Sequence, residues 1–567
     1  MTVPGGTGRH LLYNAGFRPH IGKKIRPSPC RGGKWTTTQA EPPGLPRACL
    51  RGASLLFRAA AIPAFHGQGA GFLGRMDAYQ SLRNRFREVA LLASTGAVLG
   101  WDQETYLPPG GVDFRAEQLA YLSGLGHRMS TAPEIGEWLK ACEDKGYAPE
   151  STEGTNVRGW RRSYDRATRL PAELVEEFSR TTSIAQSEWA QARKTSDFPR
   201  FRPHLEKLVD LTRQKADAWG WETCRYDALI DEYEPGANSA RLAQVFAELG
   251  PQIAALVGPA SEKSARIPKD TLDGDYPVAA QQALNREIAE ALGFDFQAGR
   301  IDTTTHPFCT GLGPRDTRLT TRYDESDFTV SLYGVMHEAG HGLYDQGLNG
   351  GEWGLPAGSA ISLGIHESQS RLWENHVGGS PEFWQHWLPR AAHHFPHLAR
   401  LSPGTLSAAV SRVEPSFIRV EADEVTYDLH IILRFEIERA LIEGDLPVAD
   451  VPAAWNEKFG KLLGLKVPDD ARGCLQDVHW SFGLFGYFAT YTLGNLNAAQ
   501  LMNRALSAVP GLAGSLAGGH YAPLLTWLRE NIHRHGMTYQ PDGLMEKATG
   551  EPTTGRHHFA HLKAKFL

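Results

Sequence analysis

The sequence predicts a mainly α protein, one large helical domain with a small β-sheet set into it. Two observations carry this. Apolar residues recur at helical spacing through most of residues 76–567, beginning with Leu82, Phe86, Val89, Ala90 and Ala93. The period changes to alternation over 300–306 and 317–323, both Thr-rich. The chain has 567 residues, 41% hydrophobic and 22% charged, a globular balance with material for a large core. No apolar run approaches the roughly 18 residues needed to span a bilayer, which excludes an integral membrane protein of the helical kind.

Residues 1–75 are different in kind. They hold eleven Lys or Arg and one acid, Glu41, a charge of +10 in a chain of net charge −5, which leaves −15 for residues 76–567. Gly and Pro interrupt any period, so disorder is expected. Translation starting at Met76 is the favoured reading. The alternative is an organelle-targeting segment, but the Gly/Pro density opposes the amphipathic helix such peptides form. A nucleic-acid tail has no basic surface in the acidic body to extend it, so no nucleic-acid partner is expected. The six cysteines are scattered without a CxxC pair, as in a cytoplasmic protein with reduced thiols.

Taken in order, the body opens with a helix from Asp77 that stops at Pro108-Pro109-Gly110-Gly111. Helices follow over 113–128, 133–146, 155–168, 171–194, 199–220, 239–264 and 277–292, many polar on one face like an outer layer. Asp231-Glu232-Tyr233-Glu234-Pro235-Gly236 reads as a solvated acidic turn. The strands at 300–306 and 317–323 are joined by the turn Gly311-Leu312-Gly313-Pro314 and offer an edge, 317–323, along which a peptide can lie. Helices are then expected over 331–347, 359–377 and 418–443, with a buried aromatic helix over 473–495. In the third of these, Arg419, Glu421, Asp423, Glu424, Asp428 and Arg434 are either an internal ion-pair set or functional groups, since charges on so apolar a helix are costly unless paired or used.

The helix over 331–347 contains His337-Glu338-Ala339-Gly340-His341. Positions i and i+4 lie one above the other, so both imidazoles can reach one ion. Glu338, about 100° round the helix, is misplaced as a ligand and well placed as a base toward a water on that ion. Catalytic zinc takes a third protein ligand, and Glu367, on the next helix beyond a Gly/Pro-rich turn, is the candidate. Imidazole and phenol tips at His479, Tyr487 and Tyr491 are candidates to bind a carbonyl oxygen.

THPF (305–308), DTRLT (316–320), HEAGH (337–341), HESQSR (366–371), IRVEADE (418–424) and GCLQDVHW (473–480) follow one another in order. In these the chain resembles the carboxypeptidase Taq family of zinc metallocarboxypeptidases, over essentially residues 76–567. The resemblance implies a helical fold with a deep active-site groove and a homodimer. It implies release of single C-terminal residues from peptides with broad specificity, usually sparing proline. It further implies His337, His341 and Glu367 as ligands of one Zn2+ per chain, with Co2+ as the alternative, and Glu338 as the catalytic carboxylate. Arg419 would meet the substrate's C-terminal carboxylate and Arg318 would contact substrate, while His479 with Tyr487 or Tyr491 would bind the carbonyl oxygen. Ala489 stands where the family pattern has proline, which leaves a local helix kink in question. Two rival readings are an oligopeptidase that cuts internally and a non-catalytic peptide binder with a structural metal.

Overall fold

The structure is a computed structural model that describes residues 77–567, so the disorder expected for residues 1–75 lies outside the described residues. Helix α1 (Ala78–Thr105) buries Leu82, Phe86 and Val89 along one stripe. It is followed by α2 (Val112–Ser130), α3 (Pro133–Lys145) and α4 (Thr152–Thr168). Of α2 only Arg115 is buried, as an outer helix requires. Next come α5 (Ala172–Thr195), α6 (Phe198–Trp219), α7 (Arg225–Tyr233), α8 (Ser239–Ala265) and α9 (Val278–Leu292), each within a few residues of the periodic stretches except α7. The acidic run 231–236 is not a solvated turn: it completes α7, and Glu234 is 4% exposed. Charge runs usually face water, and here the donors that bury one come from a distant part of the chain.

The sheet has three strands, β1 (Gly299–Thr303), β2 (Cys309–Gly313) and β3 (Asp316–Thr321), in the order β1-β3-β2. β1 runs parallel to β3 and β2 antiparallel to it. Gly311 to Gly313 are therefore strand with a register irregularity, where glycine and proline suggested a turn. The edge expected at 317–323 is also corrected. β3 is central, and its amides are already spent, Thr317 N–H on Ala298 O and Thr320 N–H on Phe308 O, both at 2.9 Å.

Helix α10 (Phe328–Gly347) is buried on nearly every side, and Asp327 caps it by accepting from Thr329 N–H at 2.9 Å. Helix α11 (Leu363–Arg371) starts four residues later than its pattern implied, at the cap Ser362, and widens into a π-helical turn over Leu372–Gly378. After it come α12 (Pro381–His394), α13 (Pro403–Val410), α14 (Tyr427–Glu443) and α15 (Val451–Leu463). The chain closes with α16 (Ala489–Ala508), α17 (Leu512–Ala517), α18 (Ala522–Asn531), α19 (Pro541–Thr549) and α20 (Arg556–Phe566). Among the described residues no helix is long and apolar enough to cross a membrane.

Two expected helices are shorter than predicted. The helix over 418–443 begins only at Tyr427, because Asp423 turns its carboxylate onto the amides of Val425 and Thr426, at 2.9 and 3.0 Å, and holds a local turn. Of 473–495 only the part from Ala489 is α-helix; Gly483 and Gly486, at φ 70° and 85°, break the chain after the short turn His479–Phe482. Ala489 is the first residue of α16, a position where proline is also at home.

The apolar interior falls into two large clusters, and α16 serves both. Leu493 and Leu496 join the cluster built on α6, α8, α14 and α15, and Ala498 and Leu501 the one built on α9 to α12. Two glycines let the central helices meet. A Cβ on Gly340 of α10 would stand 2.6 Å from the backbone of Gln369 and Ser370 in α11, and one on Gly494 of α16 would stand 2.4 Å from Glu367 Cγ. Gly340→Ala is therefore expected to destabilise the metal-free protein by about 1–3 kcal/mol, the usual range for overpacking. A urea unfolding midpoint equal to that of the parent protein would contradict it.

Candidate metal centre

α10 holds the His337 and His341 rings 4.9 Å apart on one face. Their Nε2 atoms lie 3.6 and 3.5 Å from Glu367 Oε2. A tetrahedral ion with arms of about 2.0–2.2 Å needs donors about 3.3–3.6 Å apart, so the three atoms are spaced for one ion. They form the group of metal-ligating side chains found among the described residues.

The groups behind these donors orient them; burial lowers the His337 pKa, but the Glu367 and Glu374 carboxylates outweigh it and raise the pKa overall. His337 Nδ1 donates to Glu374 Oε2 at 2.8 Å, which leaves the Nε2 lone pair for a metal. His341 Nδ1 and His366 Nδ1 are 2.7 Å apart, and His366 Nε2 is 3.2 Å from Asp345 Oδ1. One assignment satisfies all three: His366 Nε2–H donates to Asp345, so His366 Nδ1 accepts from His341 Nδ1–H, and the His341 Nε2 lone pair is left for the metal. Burial lowers the His341 pKa to about 3 and keeps the ring neutral. Glu367 Oε1 accepts from Arg371 Nε at 2.8 Å, and Ser370 Oγ donates to Oε2 at 3.0 Å. Burial opposes ionisation of Glu367, but Arg371 with His337 and His341 overrides it and holds the carboxyl well below its usual range.

Glu338 is the exception. It is fully buried, and neither carboxylate oxygen has a hydrogen-bond partner among the described residues. Burial pushes its pKa up to about 8, opposed by His337 and reinforced by Glu367 and Glu374. An orphaned buried carboxylate needs a reason. Three carboxyl groups, Glu338, Glu367 and Glu374, thus lie around the single guanidinium of Arg371 and the two histidines. The donor set and its spacing fit a divalent metal.

The remaining expected residues divide into two places. His479, on the turn before α16, lies 4.4 Å from the Phe488 ring, with Nε2 3.4 Å from the Tyr491 hydroxyl and Nδ1 3.9 Å from Asp477 Oδ1. Burial lowers its pKa to about 3, so the imidazole is neutral. Tyr491 is on the first turn of α16, one turn before the Gly494 that packs on Glu367; Tyr487 stands edge-on to it at 5.4 Å. Arg419 is 1% exposed, with Nε and Nη2 on Asp477 Oδ1 at 3.0 and 2.7 Å and Nη1 on the Tyr427 hydroxyl at 3.1 Å. Arg434 takes the other oxygen of Asp477 through Nε at 2.7 Å. Two guanidiniums thus share one carboxylate. Tyr427 joins this group to the metal centre, because the Arg371 guanidinium lies over its ring at 4.7 Å. Arg318 is elsewhere: it pairs with Asp316 at 2.9 Å and stacks at 4.3 Å on Trp101 of α1.

Sequence reasoning missed Arg371, Glu374, Asp345, Asp477 and Tyr427, and it gave His366 no role. The first two had a signal, since Glu367, Arg371 and Glu374 recur at i, i+4 and i+7 on one helix face. The others are brought in from separate elements.

Residues 81–566 match the family model described as carboxypeptidase Taq (M32) metallopeptidase. Thermostable carboxypeptidase 1 of Thermus thermophilus is 44% identical over 503 residues, 86% of this chain and 98% of that protein. Carboxypeptidase 1 of Bacillus subtilis is 36% identical over 83% of this chain and 94% of its own. The crystal structure of the M32 carboxypeptidase from Deinococcus radiodurans superposes with a TM-score of 0.83 at 40% identity, over 86% of this chain and 98% of that one. The chain therefore belongs to the carboxypeptidase Taq (M32) metallopeptidase family, and it is a metallocarboxypeptidase.

Proposed function

We propose that the protein is a zinc carboxypeptidase that releases single C-terminal residues from peptides with broad side-chain specificity, with Glu338 as general base. The observation that carries this reading is the Glu338 carboxylate, buried without a hydrogen-bond partner beside three convergent metal donors. Two imidazoles and a carboxylate suit zinc, and cobalt(II) accepts the same nitrogen and oxygen ligands. When bound, the ion at His337, His341 and Glu367 supplies a positive centre that lowers the proton affinity of water and polarises a carbonyl.

Glu338 takes the proton of the attacking water and delivers it to the amine as the peptide bond breaks. Neutral His479 and the Tyr491 hydroxyl meet the carbonyl oxygen as it gains negative charge, and Tyr487 braces Tyr491 from the side. Arg419 and Arg434 against Asp477 leave one surplus positive charge in a buried place. A peptide's terminal carboxylate cancels that charge, which favours an exopeptidase over an oligopeptidase. Arg318 is assigned to a substrate contact outside this cluster. Residues 76–567 are assigned to one catalytic domain, acting as a cytoplasmic homodimer.

Three results would check this reading. Glu338→Gln should keep its zinc and lose kcat by at least about 100-fold, the scale of general-base catalysis; near-normal turnover would refute the role. A free-ended peptide should lose terminal residues stepwise by mass spectrometry while its C-terminally amidated twin persists, and Arg419→Ala should remove that preference. Internal fragments from both peptides would support the oligopeptidase instead. Glu374→Ala should weaken zinc binding by about 10–100-fold in chelator competition, because His337 loses the partner that orients it.

A further inference from the structure

Glu234 is nine-tenths or more buried, yet the chemistry above does not use it. It lies just past the C-terminus of α7, in the acidic run that sequence reasoning assigned to solvent. Its Oε1 accepts from the Ser362 hydroxyl and its Oε2 from the Gly364 amide, both at 2.9 Å. Ser362 Oγ in turn accepts from Ile365 N–H at 3.0 Å. These are the first free amides of α11, the helix that carries Glu367 one turn on. A carboxylate at this end meets the positive pole of the helix. No Lys, Arg or His forms an ion pair with it among the described residues, so α11 is its principal partner.

The fit is close. A Cβ on Gly364 would stand 2.6 Å from Glu234 Oε2, so the carboxylate sits directly against the helix backbone. Glu367 is thus bounded on three sides: Glu234 holds the start of its helix, Arg371 holds its Oε1, and Gly494 lies against its Cγ. The same segment turns Tyr233 edge-on to Tyr487 at 5.2 Å, and Tyr487 lies 5.5 Å from His479. One short stretch therefore braces both the third metal donor and the groups assigned to the carbonyl oxygen.

We propose that Glu234 is a positioning residue of the metal centre: by clamping the N-terminus of α11 it sets the height and rotation at which Glu367 meets the ion held by His337 and His341. This rests on Glu367 being a ligand. The zinc dissociation constant, measured by competition with a chromophoric chelator, tests it in Glu234→Gln, Gly364→Ala, Glu367→Ala and Glu438→Gln, alongside thermal unfolding. Glu438 is the control, a fully buried carboxylate that binds Tyr226, Trp480 and Gly486 and does not touch α11.

Glu234→Gln turns one acceptor into a donor facing a donor and is expected to weaken zinc binding by about 10–100-fold, with activity restored by excess zinc and KM little changed. Glu438→Gln is expected to lower the unfolding temperature without moving the zinc constant. A folded Glu234→Gln protein with the parent's zinc affinity overturns the proposal while leaving Glu367 as a ligand. If Glu234→Gln does not fold, Gly364→Ala decides: weaker zinc binding supports the clamp, and parental affinity overturns it. Parental zinc affinity in Glu367→Ala overturns both the ligand assignment and the proposal.

Discussion

Glu367 can face two histidines of another helix only because three helices meet around it with almost nothing between them. Gly340 lets α10 close on the backbone of α11, and Gly494 lets α16 close on Glu367 itself. Helix axes normally stand about 8–10 Å apart, and at the low end of that range small residues must occupy the crossing. The metal donors are short side chains, so their convergence depends on this spacing. The outer helices, by contrast, tolerate an exposed face; α2 buries only Arg115.

Charge is distributed around this crossing in two unbalanced groups. Glu338, Glu367 and Glu374 outnumber Arg371, and Arg419 and Arg434 outnumber Asp477. Buried surplus charge is expensive unless a partner arrives. The first group lies at the metal centre and the second around the shared Asp477 carboxylate. Tyr427 lies between the groups, bonded to Arg419 and stacked under Arg371, so that each surplus is within reach of the other's field.

The polar groups behind the ligands serve a related purpose. Glu374 and the His366–Asp345 pair fix which nitrogen of each histidine carries its proton, and Arg371 keeps Glu367 ionised. Glu367 and Glu374 are each satisfied by two donors. Glu338 has none among the described residues.

Much of this was legible in the chain. The helical period marked most helices to within a few residues, because burying one stripe requires apolar groups at fixed spacing whatever they pack against. His337 and His341 were legible for the same local reason, and Glu367 followed from the need for a third ligand. Where a short-range rule competed with a distant partner, the reading failed. β2 was taken for a turn because its glycines outweighed the pairing that β3 supplies. The stretches 418–426 and 473–488 looked helical because their apolar content was read without the side-chain and glycine turns that hold them open.

By itself the sequence determined the helical class, the two-histidine clamp and the neighbouring carboxylate, all set by contacts within a few turns of one helix. Only the tertiary structure decided that Asp477 is shared by two arginines, that His366 orients His341, that Arg318 stacks on Trp101 and that Glu234 is buried against α11. Each joins residues from separate elements, Glu234 and Gly364 being 130 positions apart. Hydrogen bonds and ion pairs act over a few ångströms, so which of them form depends on how distant segments are brought together, and no local period records that.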